Sequence, residues 1–169
     1  MAIWVCGVPR AGKTTFCKKL KKENPNFTII VSEAIRNAFQ KMDKSHYKEW
    51  GIKTSKQRQR DFPIFLNELV KWNEKFCGFE TIVDSALIDL EKVFEIADKK
   101  DKIICFGFGG KSVEEILKII RKREKEEDYT KNFSDLQLLK FWGDISIQDK
   151  KNLEFSKLKS IKYVDNSNI

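Results

Sequence analysis

The sequence predicts a three-layer α/β protein, in which a central parallel sheet of about five strands lies between helices on both faces. Three observations predict this fold class. Short apolar runs rich in β-branched residues alternate with stretches of helical periodicity, as in strands that are buried on both faces and joined by helices. A glycine-rich turn separates the first apolar run from the first helical stretch. The length of 169 residues is that of one domain with a sizeable core.

Five apolar runs are the predicted strands, and four of them are followed directly by a glycine or an aspartate. Strands that alternate with helices form right-handed βαβ units, so neighbouring strands are expected to be parallel. The sequence contains no internal repeat or low-complexity tract that interrupts this order. The predicted strands are Ile3–Cys6, Phe27–Val31, Thr81–Val83, Ile103–Phe106 and Ile161–Val164.

Helical periodicity fills the segments between the predicted strands. Asp61 is the predicted N-cap of one helix, and Pro63 suits its first turn. Ser112 opens the pattern of a capping box, and Ser134 is predicted to cap a short helix through Leu139. The predicted helices cover residues 14–22, 33–42, 61–76, 87–97, the stretch that follows 112, and 134–139.

The charge balance points to anionic partners. Lys and Arg number 33 against 25 Asp and Glu, for a net charge of +8. Such a surplus favours phosphates, nucleotides, nucleic acid or an acidic membrane face without choosing among them. No stretch approaches the ~20 apolar residues of a membrane helix, so we expect no membrane partner. The four cysteines are scattered and form no C-x-x-C pair, which predicts reduced thiols in a cytoplasmic protein.

Residues Gly7–Thr14 fit the phosphate-binding pattern G-x-x-x-x-G-K-[ST] and lie between a predicted strand and a predicted helix, the context that the pattern requires. Such a turn lets successive backbone N–H groups converge on an anion at the positive end of a helix. Lys13 is expected to reach the terminal phosphates of the nucleotide, and the Thr14 hydroxyl to bind Mg²⁺. The alternative is a glycine-rich turn with a surface lysine. The predicted nucleotide-binding residues are Gly7, Pro9, Arg10, Ala11, Gly12, Lys13, Thr14 and Thr15.

A companion acid is expected on a strand beside the first. Thr81–Asp84 is an apolar run that ends in an aspartate, which is the pattern of a Walker B segment. The carboxyl ends of parallel strands border the crevice where such sheets bind ligands, and we expect Asp84 to hold Mg²⁺ there through water. The alternative role for Asp84 is the N-cap of a helix beginning at Ala86, and the two roles are compatible.

Three segments resemble P-loop small kinases of the adenylate-kinase-like and polynucleotide-kinase-like group. The loop Gly7–Thr14 resembles that of adenylate-kinase-like small kinases. Val31–Arg36 resembles the S-x-D-x-x-R segment after the second strand of polynucleotide-kinase-like and zeta-toxin-like kinases. The Arg121–Arg123 cluster is similar to the lid arginines of nucleoside monophosphate kinases.

The resemblance implies a P-loop NTPase fold with the strand order 2-3-1-4-5. It also implies a single domain over residues 1–169, with a helical acceptor-binding insertion at about 33–76 and a short lid at about 121–133. We expect a monomer or a homodimer, since the sequence does not distinguish the two.

The resemblance further implies roles on the acceptor side of the site. Glu33 stands where the polynucleotide-kinase-like group has an aspartate that orients or deprotonates the acceptor hydroxyl. Arg36 is expected to hold an acceptor phosphate or carboxylate. Arg121 and Arg123 are the expected lid arginines, with Arg123 reaching the transferring phosphoryl group. The alternatives are an ordinary acid in the first turn of a helix, a surface arginine and a solvated helix face. The predicted catalytic residues are Lys13, Glu33, Asp84 and Arg123.

These residues predict an ATP-dependent phosphotransferase, a kinase with ATP and Mg²⁺ as cofactors. The γ-phosphoryl group would pass to a nucleotide, a nucleoside or another small metabolite held by the helical region between residues 32 and 76. A nucleic-acid end is the less favoured acceptor, supported by the basic surplus and by Ser32–Arg36. Two other classes stay open: a P-loop ATPase or NTP-binding switch without a phosphoryl acceptor, and a nucleic-acid-binding module without catalysis.

Overall fold

Strands and helices alternate along the chain in the predicted order. The computed structural model describes residues 1–35, 55–85, 87–124 and 129–168. Residues 32–35 are helical, and a short 3₁₀ helix covers Tyr129–Asn132. The other elements, in chain order, are β1 Ala2–Gly7, α1 Lys13–Glu23, β2 Thr28–Val31, α2 Ser55–Cys77, β3 Thr81–Asp84, α3 Leu90–Ile96, β4 Lys102–Gly107, α4 Val113–Arg123, α5 Asp135–Leu158 and β5 Lys162–Asp165.

The five strands form one sheet in which every neighbouring pair is parallel. Their order is β2-β3-β1-β4-β5, which confirms the predicted order 2-3-1-4-5. The register pairs Val5 of β1 with Asp84 of β3, and Gly107 of β4 with Asp165 of β5. Because parallel strands end at the same edge of a sheet, the turns that follow these strands are brought together there.

Helices cover both faces of the sheet, and β1 supplies both of the resulting cores. All six residues of β1 are buried. Ile3 and Val5 pack in one core with side chains of α1, α4 and the first half of α5. Ala2, Trp4 and Cys6 pack in the other core with side chains of α2 and α3. Successive side chains of a strand point to opposite faces, so this unbroken apolar run confirms the predicted three-layer arrangement.

The predicted helix caps at Ser112 and Ser134 are both confirmed. Each serine accepts a hydrogen bond from the third residue of its helix, whose own side chain accepts from the N–H of the serine. The predicted length of the helix capped by Ser134 is wrong, because this helix, α5, has 24 residues and ends at Leu158 instead of Leu139. Buried polar residues interrupt the apolar periodicity of α5 and explain the error; they are Ser146, Asp149, Asn152 and Ser156.

The predicted start of the helix before β3 is also wrong. α2 begins at Ser55, so Asp61 is not its N-cap and Pro63 lies inside the helix. A proline in a helix interior removes a backbone hydrogen bond. The apolar face of α2 outweighs that loss, since Leu66 and Val70 are almost completely buried in the core beside β1.

All four cysteines lie among the described residues. All four are free thiols; Cys77 is exposed and the other three are buried. Among the described residues, no helix has both the length and the apolar character needed to cross a membrane.

Candidate nucleotide-binding site

The loop between β1 and α1 is attached to the segments on either side of it. The N–H of Gly7 donates to the carbonyl oxygen of Leu87, in the segment after β3, at 3.3 Å. The N–H of Val8 donates to the carbonyl oxygen of Phe106 in β4 at 3.1 Å. Since β1 lies between β3 and β4, these two bonds hold the loop over the middle of the carboxyl edge of the sheet.

Backbone geometry requires the two glycines of the motif. Gly7 has a φ of +110° and Gly12 a φ of +93°, values that residues with side chains rarely adopt. A Cβ on Gly7 would lie 2.0 Å from the carbonyl oxygen of Phe106. A Cβ on Gly12 would lie 2.7 Å from Nδ2 of Asn166. The glycines therefore let the loop pack directly against β4 and against the segment after β5.

The first turn of α1 is suited to an anion. Gly12 is its N-cap and has no side chain to accept a hydrogen bond, and no acidic residue lies in the turn. The first N–H groups of a helix have no partner within the helix, and the helix dipole adds a partial positive charge there. Thr14 and Thr15 are exposed in this turn. This chemistry fits a phosphate group.

Lys13 is hydrogen bonded to its own loop. Its Nζ donates to the carbonyl oxygens of Gly7 at 3.0 Å and Val8 at 2.7 Å. Burial lowers the pKa of the Lys13 ammonium, while the negative charge of Asp84, and to a smaller extent that of Glu33, acts to raise it. Three of the predicted catalytic residues, Lys13, Asp84 and Glu33, therefore lie in one electrostatic environment.

Asp84 is placed at the same edge of the sheet as the loop. It ends β3, opposite Val5 of β1 and Val31 of β2. Its side chain is held close to the interior, since the residue is 6% exposed. Burial raises the pKa of the Cys17 thiol on α1 to about 12, and the negative charge of Asp84 adds to that increase. The carboxylate of Asp84 thus acts on both Lys13 and Cys17 of the first helix.

The alternative role of Asp84 as a helix cap is wrong. The helix predicted from residue 87 begins at Leu90, and the side chain of Asp89 accepts from the N–H of Glu91 as its N-cap. Asp84 is therefore separated from the start of α3 and does not serve it.

On the acceptor side, the structure describes Ser32 and Glu33 but not Arg36. Residues 32–35 continue from β2 as a helix, in which Ser32 is completely buried and Glu33 is exposed. Glu33 lies two residues beyond Val31, the partner of Asp84 in the sheet. Arg36 lies outside the described residues, as do positions 37–54 of the predicted acceptor-binding insertion, so their roles stay predictions.

Arg121, a predicted lid arginine, joins the end of α4 to the start of α5. Its guanidinium contacts the carboxylates of Glu124 at 3.0 Å and Asp135 at 2.8 Å, and donates to the carbonyl oxygen of Phe133 at 2.7 Å. Residues 125–128 of the predicted lid lie outside the described residues. The bonds of Arg121 connect Glu124, just before that segment, with Phe133 and Asp135 beyond it.

Arg123, the arginine predicted to be catalytic, contacts the segment after β5. Its Nη2 donates to the carbonyl oxygens of Asn166 at 2.7 Å and Asn168 at 3.0 Å. Both acceptors belong to the main chain. A contact of Arg123 with the transferring phosphoryl group stays a prediction.

Two solved structures are similar to this architecture. One is a chain of the Pnkp1/Rnl/Hen1 RNA repair complex, with a TM-score of 0.57 and 17% identity over 94% of this chain and 45% of that chain. The other is a gluconokinase from Sinorhizobium meliloti 1021, with a TM-score of 0.57 and 16% identity over 99% of this chain and 83% of that one. The protein thus spans less than half the length of the matching chain in the RNA repair complex. The chain has the three-layer α/β P-loop fold of these two structures. No family model and no curated protein sequence matches it.

Within this P-loop fold, Asn166 contacts the candidate site, and the motifs did not identify it. Its N–H donates to the carbonyl oxygen of Gly107 at 2.9 Å, and its Nδ2 donates to that of Ala11 at 2.9 Å. Asn166 therefore connects the end of β4 with the phosphate-binding loop. The signal in the sequence is its position directly after the last predicted strand, since all strands of a parallel sheet end at the same edge.

The turn after β4 is fixed by a second set of residues that the sequence did not suggest. Asp149 of α5 is completely buried and accepts from the N–H groups of Phe108 and Gly110, each at 3.0 Å. It also accepts from the hydroxyl of Tyr163 at 2.7 Å, and that hydroxyl accepts from the N–H of Gly109 at 3.1 Å. This turn directly follows the strand on which the phosphate-binding loop rests, so the network supports the P-loop from α5 and β5.

Proposed function

We propose that the protein is an ATP-dependent phosphotransferase that moves the γ-phosphoryl group of ATP to a nucleotide, a nucleoside or another small metabolite. The loop between β1 and α1 is the observation that supports the proposal. Nζ of Lys13 donates hydrogen bonds to carbonyl oxygens of this loop, and its charge interacts with those of Asp84 and Glu33. Phosphoryl transfer uses a cation, free N–H groups at the start of a helix and a carboxylate, and this edge of the sheet carries all three.

The backbone of the loop would bind the phosphates of the nucleotide. The loop residues in this proposal are Gly7, Pro9, Arg10, Ala11 and Gly12. Its N–H groups and those of the first turn of α1, with Thr14 and Thr15, would surround the inner phosphates. An ammonium carries three donors, and two of those of Lys13 already go to the loop. In this proposal the remaining donor and the positive charge of Lys13 would serve the terminal phosphates.

The residues at this edge also fit a magnesium ion. Mg²⁺ prefers hard oxygen ligands, and the exposed Thr14 hydroxyl and the almost buried Asp84 carboxylate would supply them. When bound there, the ion would neutralise charge on the phosphate oxygens. Thr14 is the direct ligand in this proposal, and Asp84 binds through water.

Glu33 is the proposed base on the acceptor side. The acceptor hydroxyl gives its proton to the Glu33 carboxylate as its oxygen forms a bond to the γ-phosphorus, and the bond from that phosphorus to the bridging oxygen breaks, so that ADP leaves. The exposure of Glu33 and its electrostatic interaction with Lys13 support this role. Arg36 is the proposed partner of an acceptor anion.

The first experiment measures nucleotide binding and phosphoryl transfer. MgATP is titrated by calorimetry, and γ-labelled ATP is incubated with a panel of nucleosides, nucleotides and small hydroxy metabolites. We expect Lys13→Ala to lower transfer by about 100-fold or more. Lys18→Ala, which removes the same charge from an exposed position of α1, is expected to retain full transfer. Undiminished binding and turnover in Lys13→Ala would refute the proposed site.

A second variant tests the base. Glu33→Gln keeps the size of the side chain and removes its basicity, so we expect transfer to fall by about 100-fold or more while the affinity for MgATP stays within about twofold. Glu23→Gln, at an exposed position at the end of α1, is the matched control. Unchanged transfer in Glu33→Gln would exclude the general-base role.

A nucleic-acid end is the second candidate acceptor. It is supported by the net charge of +8 and by the likeness in fold to a chain of an RNA repair complex. The panel therefore includes an oligoribonucleotide with free terminal hydroxyls. Transfer to it that weakens steeply with added salt would favour this candidate, because release of counterions from phosphates makes such binding depend on salt. ATP hydrolysis without any phosphorylated product would instead favour an ATPase or a switch.

A further inference from the structure

The segment after β5 lies between the end of α4 and the phosphate-binding loop. On one side, Nη2 of Arg123 donates to the carbonyl oxygens of Asn166 and Asn168 at 2.7 and 3.0 Å. On the other, Nδ2 of Asn166 donates to the carbonyl oxygen of Ala11 at 2.9 Å. Ala11 is completely buried, so the acceptor of this bond is fixed within the loop.

The contact between Asn166 and the loop is close. Gly12 follows Ala11, and a Cβ on Gly12 would lie 2.7 Å from Nδ2 of Asn166. The main chain of Asn166 is itself held, since its N–H donates to the carbonyl oxygen of Gly107 at 2.9 Å. A change in the position of Asn166 would therefore shift the backbone at Ala11 and Gly12, where the loop turns into α1.

We propose that Arg123 is a positioning residue that acts on the phosphate-binding loop through Asn166. In this role its guanidinium holds the main chain of Asn166 so that the amide side chain fixes the turn at Ala11 and Gly12. The inference rests on the proposed nucleotide site, and it differs from the prediction that Arg123 touches the transferring phosphoryl group.

The two roles predict different changes in the affinities for ADP and ATP. The backbone of the loop would hold the inner phosphates, which ADP and ATP share. Loss of a residue that positions the loop therefore weakens both nucleotides alike. Loss of a residue that contacts only the terminal phosphoryl group lowers the affinity for the ATP analogue and leaves the affinity for ADP unchanged.

The experiment is a double-mutant cycle with two ligands. Arg123→Met, Asn166→Ala and the double variant are titrated with MgADP and with a nonhydrolysable MgATP analogue by calorimetry. Lys118→Met, which removes the same charge from an exposed position of α4, is the control and is expected to stay within about twofold of the parent protein. Arg123→Lys keeps the charge without the planar guanidinium and guards against a variant that fails to fold.

If Arg123 acts through Asn166, each single variant lowers the affinity for both ligands by about tenfold, the effect of one net hydrogen bond. The double variant is then also weakened by about tenfold, because the two residues form one connection. Arg123→Lys loses about threefold for both ligands. Selective loss of the ATP analogue, a double variant weakened by about 100-fold, or unchanged affinity in the single variants would each overturn the proposal. If the parent protein binds neither nucleotide, the proposed function itself fails and this inference with it.

Discussion

Replacing Gly7 by alanine should destabilise the protein more than the same change at another glycine with positive φ. Gly7 has a φ of +110°, and a Cβ there would lie 2.0 Å from the carbonyl oxygen of Phe106. Gly78 has a φ of +69° with nothing within 4 Å of its added Cβ. Both substitutions introduce backbone strain, but only the first forces two central strands apart.

The expected magnitudes follow from these contacts. A residue with a Cβ in the left-handed region costs about 1–2 kcal/mol, which is the full expected effect at Gly78. At Gly7, moving the Phe106 carbonyl away also breaks its hydrogen bond with the N–H of Val8, and an unsatisfied buried group costs about 1–3 kcal/mol. We therefore expect Gly7→Ala to lower the free energy of unfolding by about 2–5 kcal/mol.

Urea titrations followed by far-UV circular dichroism measure this free energy. Gly143, inside α5, has nothing within 4 Å of an added Cβ and no positive φ, so Gly143→Ala is expected to stabilise the protein by about 0.5–1 kcal/mol. The three variants together separate overlap, strain and helix propensity. A Gly7→Ala protein no less stable than Gly78→Ala would refute the reasoning about the contact with β4.

Three further predictions concern the buried network and the thiols. Asp149→Asn should lower the free energy of unfolding by about 2–3 kcal/mol in urea titrations, because its carboxylate accepts from two N–H groups and a hydroxyl; a change below about 0.5 kcal/mol would contradict the assigned network. Burial and the hydrogen bond to Asp149 raise the pKa of Tyr163, so the stability that this tyrosine adds is complete below its unfolded pKa of about 10 and declines as pH rises above it. Tyr163→Phe should therefore leave the absorbance change of tyrosine ionisation near pH 10 unaltered, and a loss of one residue's amplitude would show that Tyr163 ionises normally. At pH 8 a disulfide reagent should modify one thiol rapidly, and Cys77→Ser should abolish that reaction, since the other three cysteines are buried; rapid reaction of the variant would place a second thiol at the surface.

Local patterns in the sequence were sufficient to predict the sheet and the glycine-rich turn between β1 and α1. The five strands are short apolar runs because both faces are covered, and each appears in the structure within about two residues of its predicted bounds. The phosphate-binding loop is contiguous, so its glycines and Lys13 could be recognised from spacing alone.

The residues that sequence reasoning missed have distant partners. The second half of α5 was missed because its Asp149 and Asn152 are polar but buried against other segments. Asp149 accepts from the turn after β4, and Asn152 accepts from the N–H of Leu90 at the start of α3. A polar residue in a helix gives no indication of such a partner, and the helical pattern of apolar residues predicts that its position is exposed to solvent. Asn166 presents the same difficulty, because its partner Ala11 is 155 positions away.

That distance also sets when the loop can gain this contact during synthesis. A ribosome adds roughly 5–20 residues per second, so it needs on the order of 10–30 s to translate the 155 positions between Ala11 and Asn166. The glycine-rich turn leaves the ribosome well before the asparagine that braces it. A nascent chain halted before that residue would carry the whole nucleotide motif and still lack its final support.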